Sequence, residues 1–296
     1  MPDTIVVKGG HGLPYSKGLM AQSLSASGVA PERAYDVARA LEARLADSGR
    51  PEIDAAELRE LAAEVLRERE GGDAARRFLE WEGLDRLGRP LVVLLGGAPG
   101  VGKSTLATLL AGRIGITRVI ATDAIRHVIR AFFSHDFMPS VHYSSFEAGE
   151  ALDASGVEGD RDIAGYLRQV ESVRTGAAAI LDRALLEGMS MVLEGVHLVP
   201  GSVGSRLSGQ CVLVEAVVTI EDEEVHRNHL SLRGGARPAE RYLDRFDQIR
   251  KLQGYLVERA RASGKPVIDA ANLDSALGVA LELVREAVGA ELRSGA

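Results

Sequence analysis

The chain has 296 residues, of which 46% are hydrophobic, and it carries a formal net charge of −7. This length accommodates about two domains, and the acidic balance, without a basic tail or a block of lysine and arginine, argues against a general nucleic-acid-binding protein. The sequence holds neither a long apolar stretch nor a signal-peptide pattern, so we expect a cytoplasmic protein that does not enter a membrane.

Residues 1–88 predict a small, mostly helical domain. Alternation at residues 4–8 and 13–15, on either side of a glycine-rich turn, predicts a β-hairpin. Helices are then expected after Ser16 or Ser23, over residues 32–46, from Asp54, and over residues 73–81. Because Gly88-Arg89-Pro90 interrupts this periodicity, we place a domain boundary between residues 88 and 89.

Residues 89–296 alternate between strand and helix patterns, as a parallel sheet with helical crossovers requires. We expect an α/β domain with a five-stranded parallel sheet flanked by helices, the longest of them over residues 168–186 and from residue 274. Residues 133–165 lack periodicity and predict a loop-rich insertion. The strands are expected at residues 91–95, 118–121, 191–194, 211–220 and 266–269.

The first strand of this domain leads into a Gly-x-x-x-x-Gly-Lys-Ser loop, which helical sequence follows. Small residues let the loop turn its N–H groups toward a polyphosphate, and the positive end of the helix attracts negative charge. Lys103 is expected to reach the β- and γ-phosphates, and Ser104 to ligate Mg²⁺. A glycine-rich turn that binds no nucleotide is the alternative, but it leaves the lysine unexplained. The residues expected to hold a nucleoside triphosphate are Gly97, Ala98, Pro99, Gly100, Val101, Gly102, Lys103, Ser104 and Thr105.

An aspartate, Asp123, follows the second strand of the predicted sheet, and Arg126 and Arg130 lie on the same face of the next helix. Ligands gather at the carboxyl ends of parallel strands, so this face is expected to share the crevice of the glycine-rich loop. There Asp123 accepts the proton of an attacking hydroxyl, and the two arginines hold the anionic groups of a substrate. The alternative is an aspartate that caps the helix and pairs with the arginines in solvent.

Further candidate site residues lie at the end of the third predicted strand and in the loop-rich insertion. Glu194 ends that strand, where an acid can hold Mg²⁺ or align the nucleophile; the alternative is a solvated glutamate. His197 is expected either to contact the substrate or to pair with a loop carbonyl. In the insertion, contacts with the acceptor are expected from His142, Ser144 and Ser145.

The polar segment 221–250 has the composition of a lid. Its arginines could neutralise the transferred phosphoryl group, with Arg227 and Arg233 as the strongest catalytic candidates and Arg237 and Arg241 beside them. A solvated helix with glutamate partners is the alternative for any single arginine. The pair His226 and His229 has helical spacing but no third ligand in view, so we do not predict a metal site there.

Several segments together resemble the 2-phosphoglycerate kinase family. They are GGAPGVGKS at residues 96–104, TDAIR at 122–126, HYSSFE at 142–147, LEGVHLVPG at 193–201, and residues 226–233 and 253–256. The helices and hairpin of residues 1–88 are similar to the ATP-cone-like domain that precedes the kinase in this family. The resemblance therefore covers nearly the whole chain.

This resemblance implies transfer of the γ-phosphoryl group of ATP to the hydroxyl of 2-phosphoglycerate, with Mg²⁺, giving 2,3-bisphosphoglycerate and ADP. It implies a small anionic substrate, a kinase domain over residues 89–296 and a lid near residues 221–250. Two alternatives stay open: a kinase for another small hydroxy acid or sugar, and a nucleotide-sensing regulatory protein. The sequence leaves the oligomeric state open, a homo-oligomer included.

Overall fold

The computed structural model describes residues 4–8, 10–81, 87–153, 159–207, 209–232 and 239–294. Contacts within the chain divide it into two compact units. The first comprises Met1–Gly88 with Gly112–Gly115 and Arg285–Ala296, and the second comprises Arg89–Ala111 and Ile116–Val284.

The first unit combines four helices with a three-stranded sheet in which β1 lies between antiparallel β2 and parallel β3. Its elements are β1 Ile5–Lys8, β2 His11–Pro14, α1 Lys17–Ala26, α2 Pro31–Ser48, β3 Glu52–Asp54, α3 Ala55–Glu70 and α4 Gly72–Trp81. The expected hairpin and helices are confirmed. Strand β3 was not predicted, because three residues directly before a helix show no readable alternation.

Local sequence explains where these helices begin. The Ser16 hydroxyl accepts the Leu19 N–H at the start of α1, and the Asp54 carboxylate accepts the Ala56 N–H at the start of α3. Helix α2 begins at a proline, which needs no helical N–H partner. The predicted apolar stripe of α2 lies in the buried core of this unit and consists of Ala34, Val37, Ala38, Leu41 and Leu45.

The second unit contains a five-stranded, all-parallel sheet, as predicted, and its strands lie in the order β5-β6-β4-β7-β8. Its strands are β4 Leu91–Gly97, β5 Val119–Ala121, β6 Met191–Gly195, β7 Val212–Thr219 and β8 Val267–Asp269. Its helices are α5 Lys103–Ile114, α6 Thr122–Phe132, α7 Arg161–Leu186, α8 Gly204–Leu207, α9 Glu223–Ser231, α10 Ala239–Leu243, α11 Phe246–Ala262 and α12 Leu273–Ser294, of which α5 and α12 end within the first unit.

The sheet order determines which residues meet. Strand β4 is buried along its whole length and lies between β6 and β7, in the most protected position of a parallel sheet. Its register pairs Leu95 with Glu194 of β6, and Glu194 in turn pairs with Ala121 of β5. The carboxyl ends of these three strands therefore lie side by side.

Two features of the second unit differ from the sequence analysis. Helix α7 begins at Arg161 rather than at residue 168, because the Asp160 carboxylate caps it by accepting the N–H groups of residues 162 and 163. Gly165 in its second turn lies against the Ala148 carbonyl, where a side chain would clash, and this small residue hid the helical pattern. The insertion itself contains two 3₁₀ helices, Pro139–His142 and Ala148–Ala151. Among the described residues, no helix is both long and apolar enough to cross a membrane.

Candidate active site

The glycine-rich loop connects the end of β4 to the first residue of α5, and we call residues 97–104 the P-loop. Gly100 has a φ of +88°, and a Cβ there would lie 2.5 Å from a methyl group of Leu230 in α9, so only glycine fits. The Lys103 ammonium lies 3.3 Å from the Ala98 carbonyl. The loop N–H groups, the start of α5 and this ammonium together form an anion site.

Ser104 and Glu194 meet directly beside the P-loop. The Ser104 hydroxyl donates to Oε1 of Glu194 at 2.8 Å, and the Glu194 side chain is buried. A hydroxyl and a carboxylate are oxygen ligands of the kind that Mg²⁺ prefers. These two residues therefore have the chemistry to hold a magnesium ion, and their role as its ligands stays a prediction.

Asp123 lies in the first turn of α6 but does not cap it, since the N-cap residue is Ala121 and makes no side-chain bond. Its carboxylate accepts a hydrogen bond from Nε of Arg126 at 3.3 Å. Burial raises the pKa of Asp123, but the positive charges of Arg126 and Lys103 more than offset this and hold the pKa below its ordinary value. The side chain is therefore an ionised carboxylate at neutral pH.

Residues 142–146, at the end of the first 3₁₀ helix and directly after it, line the site, and we call residues 139–147 the acceptor segment after the role predicted for His142, Ser144 and Ser145. Arg126 is buried behind this segment, where Nη1 donates to the carbonyls of Val141 and Tyr143, both at 2.9 Å. Arg126 is predicted as a substrate ligand; its Nε and Nη1 bond to the protein, while the side chain also lines the cavity. The His142 ring donates from Nε2 to the Phe133 carbonyl at 2.9 Å.

His197 is not where a substrate ligand must be, and its predicted contact with the substrate is wrong in this structure. The ring is 2% exposed, and its two nitrogens lie within 2.9 Å of Thr122 and Gln169 rather than facing the cavity. Burial lowers the pKa of His197 to about 3, so the imidazole is neutral. The predicted alternative, pairing with a loop carbonyl, is not observed either.

The described part of the predicted lid, residues 221–232 and 239–250, contains α9, α10 and the start of α11, and its arginines have different environments. Arg241 of α10 forms a two-point ion pair with the buried carboxylate of Glu147, in which Nε donates to Oε1 at 2.9 Å and Nη2 donates to Oε2. Arg227 of α9 instead lies 4.0 Å from the ring centre of Phe246 and does not line the cavity. Its predicted catalytic role in the lid stays a prediction, and Arg233 and Arg237 lie outside the described residues.

Helix α9 contacts the P-loop through a buried histidine. Nε2 of His226 donates to the Pro99 carbonyl at 2.9 Å, and the ring packs edge-on against Phe246. Within the described ranges, no group of three or more histidine, cysteine or acidic side chains could hold a metal ion.

All of these elements surround one cavity of about 540 Å³ at the carboxyl ends of the strands. Its lining includes residues of the P-loop, of the acceptor segment and of α10. The cavity thus brings together a carboxylate and several cations. The predicted residues that line it are Pro99, Lys103, Ser104, Asp123, Arg126, Arg130, His142, Ser144, Ser145, Glu194 and Arg241.

Known proteins resemble the chain along nearly its whole length, although no family model matches it. The 2-phosphoglycerate kinase of Methanococcus vannielii is 37% identical over 93% of this chain and 89% of its own. That of Methanocaldococcus jannaschii is 37% identical over 97% of this chain and 93% of its own. The chain belongs to the 2-phosphoglycerate kinase family. It is therefore a phosphotransferase, and the resemblance noted in its sequence is confirmed.

The 2-phosphoglycerate kinase of Methanothermobacter thermautotrophicus is 38% identical over 88% of this chain and 86% of its own. Among solved structures, a gluconokinase of Sinorhizobium meliloti 1021 is similar over 66% of this chain and 91% of its own, with 19% identity and a TM-score of 0.39.

Sequence reasoning missed several cavity residues of this family member. His127 and Tyr143 line the cavity beside predicted residues, and Tyr242 lines it next to Arg241. Glu147 was quoted only as part of a motif, yet it holds Arg241 in place. A signal was available for it: a lone acid between a phenylalanine and small residues predicts a buried charge, which needs a cationic partner.

Proposed function

We propose that this protein transfers the γ-phosphoryl group of ATP to the hydroxyl of 2-phosphoglycerate and produces 2,3-bisphosphoglycerate and ADP. The observation that carries the proposal is the single cavity in which a P-loop lysine, an ionised aspartate and a wall of cationic side chains face one another. Family membership supports the same reaction, since the relatives bear the name of this kinase.

The nucleotide side of the cavity is the P-loop. Its N–H groups and the start of α5 bind the phosphates, and Lys103 reaches the β- and γ-phosphates. Ser104 and Glu194 would hold Mg²⁺, which when bound neutralises charge on the phosphate oxygens.

The acceptor side suits a substrate with two anionic groups. 2-Phosphoglycerate carries a phosphate and a carboxylate, and the cavity lining offers Arg126 and Arg130. His142, Ser144 and Ser145 add hydrogen-bonding groups to the same lining. Concentrated positive charge of this kind lets an acidic protein bind a small anion.

Asp123 faces the acceptor hydroxyl in this scheme. The hydroxyl oxygen forms a bond to the γ-phosphorus, the bond to ADP breaks, and the hydroxyl proton passes to the Asp123 carboxylate. A carboxylate with a lowered pKa is a weak base, so its larger contribution is to orient the hydroxyl while it still carries its proton. No covalent intermediate on the protein is required.

Arg241 is the lid arginine that we assign to the transferred group. It lines the cavity, and Glu147 fixes its guanidinium, so its charge is preorganised. Arg227 lies on Phe246 and has no such access. Arg233 stays a prediction.

We propose in addition that residues 1–88 act as an ATP-cone-like domain and residues 89–296 as the kinase domain, with the lid near residues 221–250. This assignment of roles rests on the resemblance in sequence.

A panel of acceptors tests the reaction. ADP release is measured from ATP and Mg²⁺ with 2-phosphoglycerate, with 3-phosphoglycerate, with glycerate, with gluconate and without an acceptor. We expect ADP release to require 2-phosphoglycerate. Equal release in every mixture indicates acceptor-independent hydrolysis, and a preference for another acid assigns a different substrate; either result contradicts the proposal.

A further inference from the structure

A chain of buried hydrogen bonds begins at the residue before Asp123. The hydroxyl of Thr122 lies 2.8 Å from Nδ1 of His197, and Nε2 of His197 lies 2.9 Å from Oε1 of Gln169. Thr122 and Gln169 are fully buried and His197 is 2% exposed, so none of the three can touch a substrate directly. These residues nevertheless connect α6, the end of β6 and α7.

This series of hydrogen bonds continues from Gln169 into the acceptor segment and leads back to Asp123. Nε2 of Gln169 donates to the carbonyls of Ser140 at 2.5 Å and Tyr143 at 3.0 Å. The Tyr143 carbonyl also accepts from Nη1 of Arg126, whose Nε donates to Asp123. Because Thr122 and Asp123 are adjacent in sequence, the bonds close on themselves. We call this closed path the polar ring; its members are Thr122, His197, Gln169, the Tyr143 carbonyl, Arg126 and Asp123.

The contacts allow one arrangement of protons in the polar ring. Carbonyl oxygens only accept, so the carboxamide nitrogen of Gln169 must face Ser140 and Tyr143, and its oxygen must face His197. That oxygen also only accepts, so His197 carries its proton on Nε2. Because the imidazole is neutral, its Nδ1 is bare and accepts the hydroxyl proton of Thr122. Every member therefore has a fixed role as donor or acceptor.

The start of the ring is tightly packed. A Cβ on Gly195 would lie 1.8 Å from the Thr122 hydroxyl oxygen, so the end of β6 is pressed against it. Thr122, Arg126, Gln169 and His197 are buried, and moving one of them would leave another without its hydrogen-bond partner. The position of the acceptor segment is therefore tied to the position of Asp123.

We propose that His197 and Gln169 are positioning residues that set the affinity for the acceptor, because the polar ring fixes the acceptor segment relative to the Asp123 carboxylate. This inference rests on the proposed function for its kinetic test. It assigns no contact with substrate to either residue. Ser144 and Ser145, which follow the ring's Tyr143 carbonyl and line the cavity, are the groups whose positions it controls.

The kinetic test compares two buried substitutions on α7, with 2-phosphoglycerate as the acceptor. Gln169→Met keeps the volume but removes both donors and the acceptor oxygen, and we expect the KM for the phosphorylated acid to rise roughly tenfold or more while the KM for ATP changes less than about twofold. The matched control is Tyr166→Phe, which removes the buried bond from the Tyr166 hydroxyl to the Val196 carbonyl, outside the ring. An equal rise of the acceptor KM in both variants, at equal loss of Tm, overturns the proposal.

A pair of substitutions at His197 tests whether its Nε2 side carries the bond to Gln169 that the polar ring requires. The carboxamide of Gln occupies the region of Nε2, whereas that of Asn occupies the region of Nδ1. We expect His197→Gln to retain the link to Gln169 and an acceptor KM within about threefold of the unmodified protein. His197→Asn loses that link and should resemble Gln169→Met. Identical acceptor KM values for the two variants contradict the proposal.

A measurement without turnover separates this inference from the proposed function. The ¹⁵N spectrum of the full chain labelled in histidine, with His197 assigned from its loss in His197→Gln, reports which ring nitrogen carries the proton. We expect a protonated Nε2 and a bare Nδ1 in the unmodified protein. The opposite tautomer or a doubly protonated ring at neutral pH overturns the ring, whereas an absence of activity with 2-phosphoglycerate overturns only the proposed function.

Discussion

The two sides of the cavity are built by different means. The P-loop side is made of main-chain N–H groups, a helix end and one lysine, all from a contiguous stretch of eight residues. The proposed acceptor side is lined by side chains from α6, α10 and the acceptor segment, to which the buried Gln169 of α7 bonds, and these elements are far apart in the sequence. Backbone groups recognise a phosphate of any nucleotide, whereas side chains can match the anionic groups of one substrate.

This difference indicates where specificity lies. A backbone anion site depends on local conformation, and glycines such as Gly100 maintain it by leaving no side chain in the way. The acceptor side depends on buried polar partners, so a change far from the substrate can displace it. Substitutions on the two sides should therefore differ in which kinetic constant they change.

The largest effect is expected at the P-loop. Lys103→Ala removes the charge nearest the transferred phosphate, so kcat should fall by about 10³-fold while the fold is retained. The rate of ADP formation and the Tm of the variant measure the two effects.

Lys17→Ala is the matched control, because it removes a half-exposed lysine whose partner is Glu42, in the first unit. Its kcat should equal that of the unmodified protein. Substantial turnover in Lys103→Ala, or an equal loss in Lys17→Ala, contradicts the assigned role of the P-loop lysine.

The next effect is expected at the carboxylate between the two sides. Asp123→Asn keeps the shape of the side chain but cannot accept the hydroxyl proton, so kcat should fall by about 10²- to 10³-fold. The KM for ATP should stay within about twofold, since the proposed nucleotide site is the P-loop. Initial rates at varied ATP and varied acceptor measure both constants. Equal losses of ATP affinity and of kcat would mean that Asp123 supports the structure only.

A smaller effect should distinguish the lid arginines. Arg241→Ala removes a preorganised charge from the cavity, and we expect kcat to fall by about 10²-fold. Arg227→Ala is the matched control, because that guanidinium lies on Phe246 outside the cavity, and we expect less than about a threefold change. Steady-state kinetics of both variants decide between them, and a larger loss in Arg227→Ala reverses the assignment.

The last prediction concerns the stability of the fold, on which we expect the smallest influence at neutral pH. The buried His197 on the acceptor side should make the free energy of unfolding depend on pH. The folded-state pKa of His197 is about 3, and the unfolded value is near 6.5, so acid protonates the unfolded chain first. The free energy of unfolding should therefore fall by up to a few kcal/mol as the pH drops from about 6.5 toward 3. Urea unfolding of the unmodified protein and of His197→Gln at several pH values measures this, and an equal pH dependence in both contradicts it.

The parts of the fold that the sequence predicts well are those with a strong local pattern. The apolar stretch of β4, the glycine-rich loop and the stripe of α2 each show their structure within a few residues. The start of α7 was placed seven residues late because Gly165 interrupts its apolar spacing to admit the insertion. Strand β3 forms through pairing with β1, which no local pattern encodes.

The candidate site likewise has features that the sequence predicts and features that depend on tertiary contacts. Ser104 and Glu194 were predicted to meet because sheet order brings strand ends together, and they lie 2.8 Å apart. The environments of Arg227, Arg241 and His197 could not be predicted, since they depend on tertiary partners: Phe246, Glu147 and Gln169. His197, which was expected to contact the substrate, is instead buried and connects Thr122 to Gln169.

The most direct test of the central claim is a ³¹P NMR time course of ATP, Mg²⁺ and 2-phosphoglycerate with the unmodified protein. One cavity that aligns the nucleotide with an acceptor predicts that each ADP formed is matched by one new phosphate ester on the acid, with no inorganic phosphate released. Inorganic phosphate accumulating in step with ADP, while the acid keeps its single phosphorus signal, would contradict it.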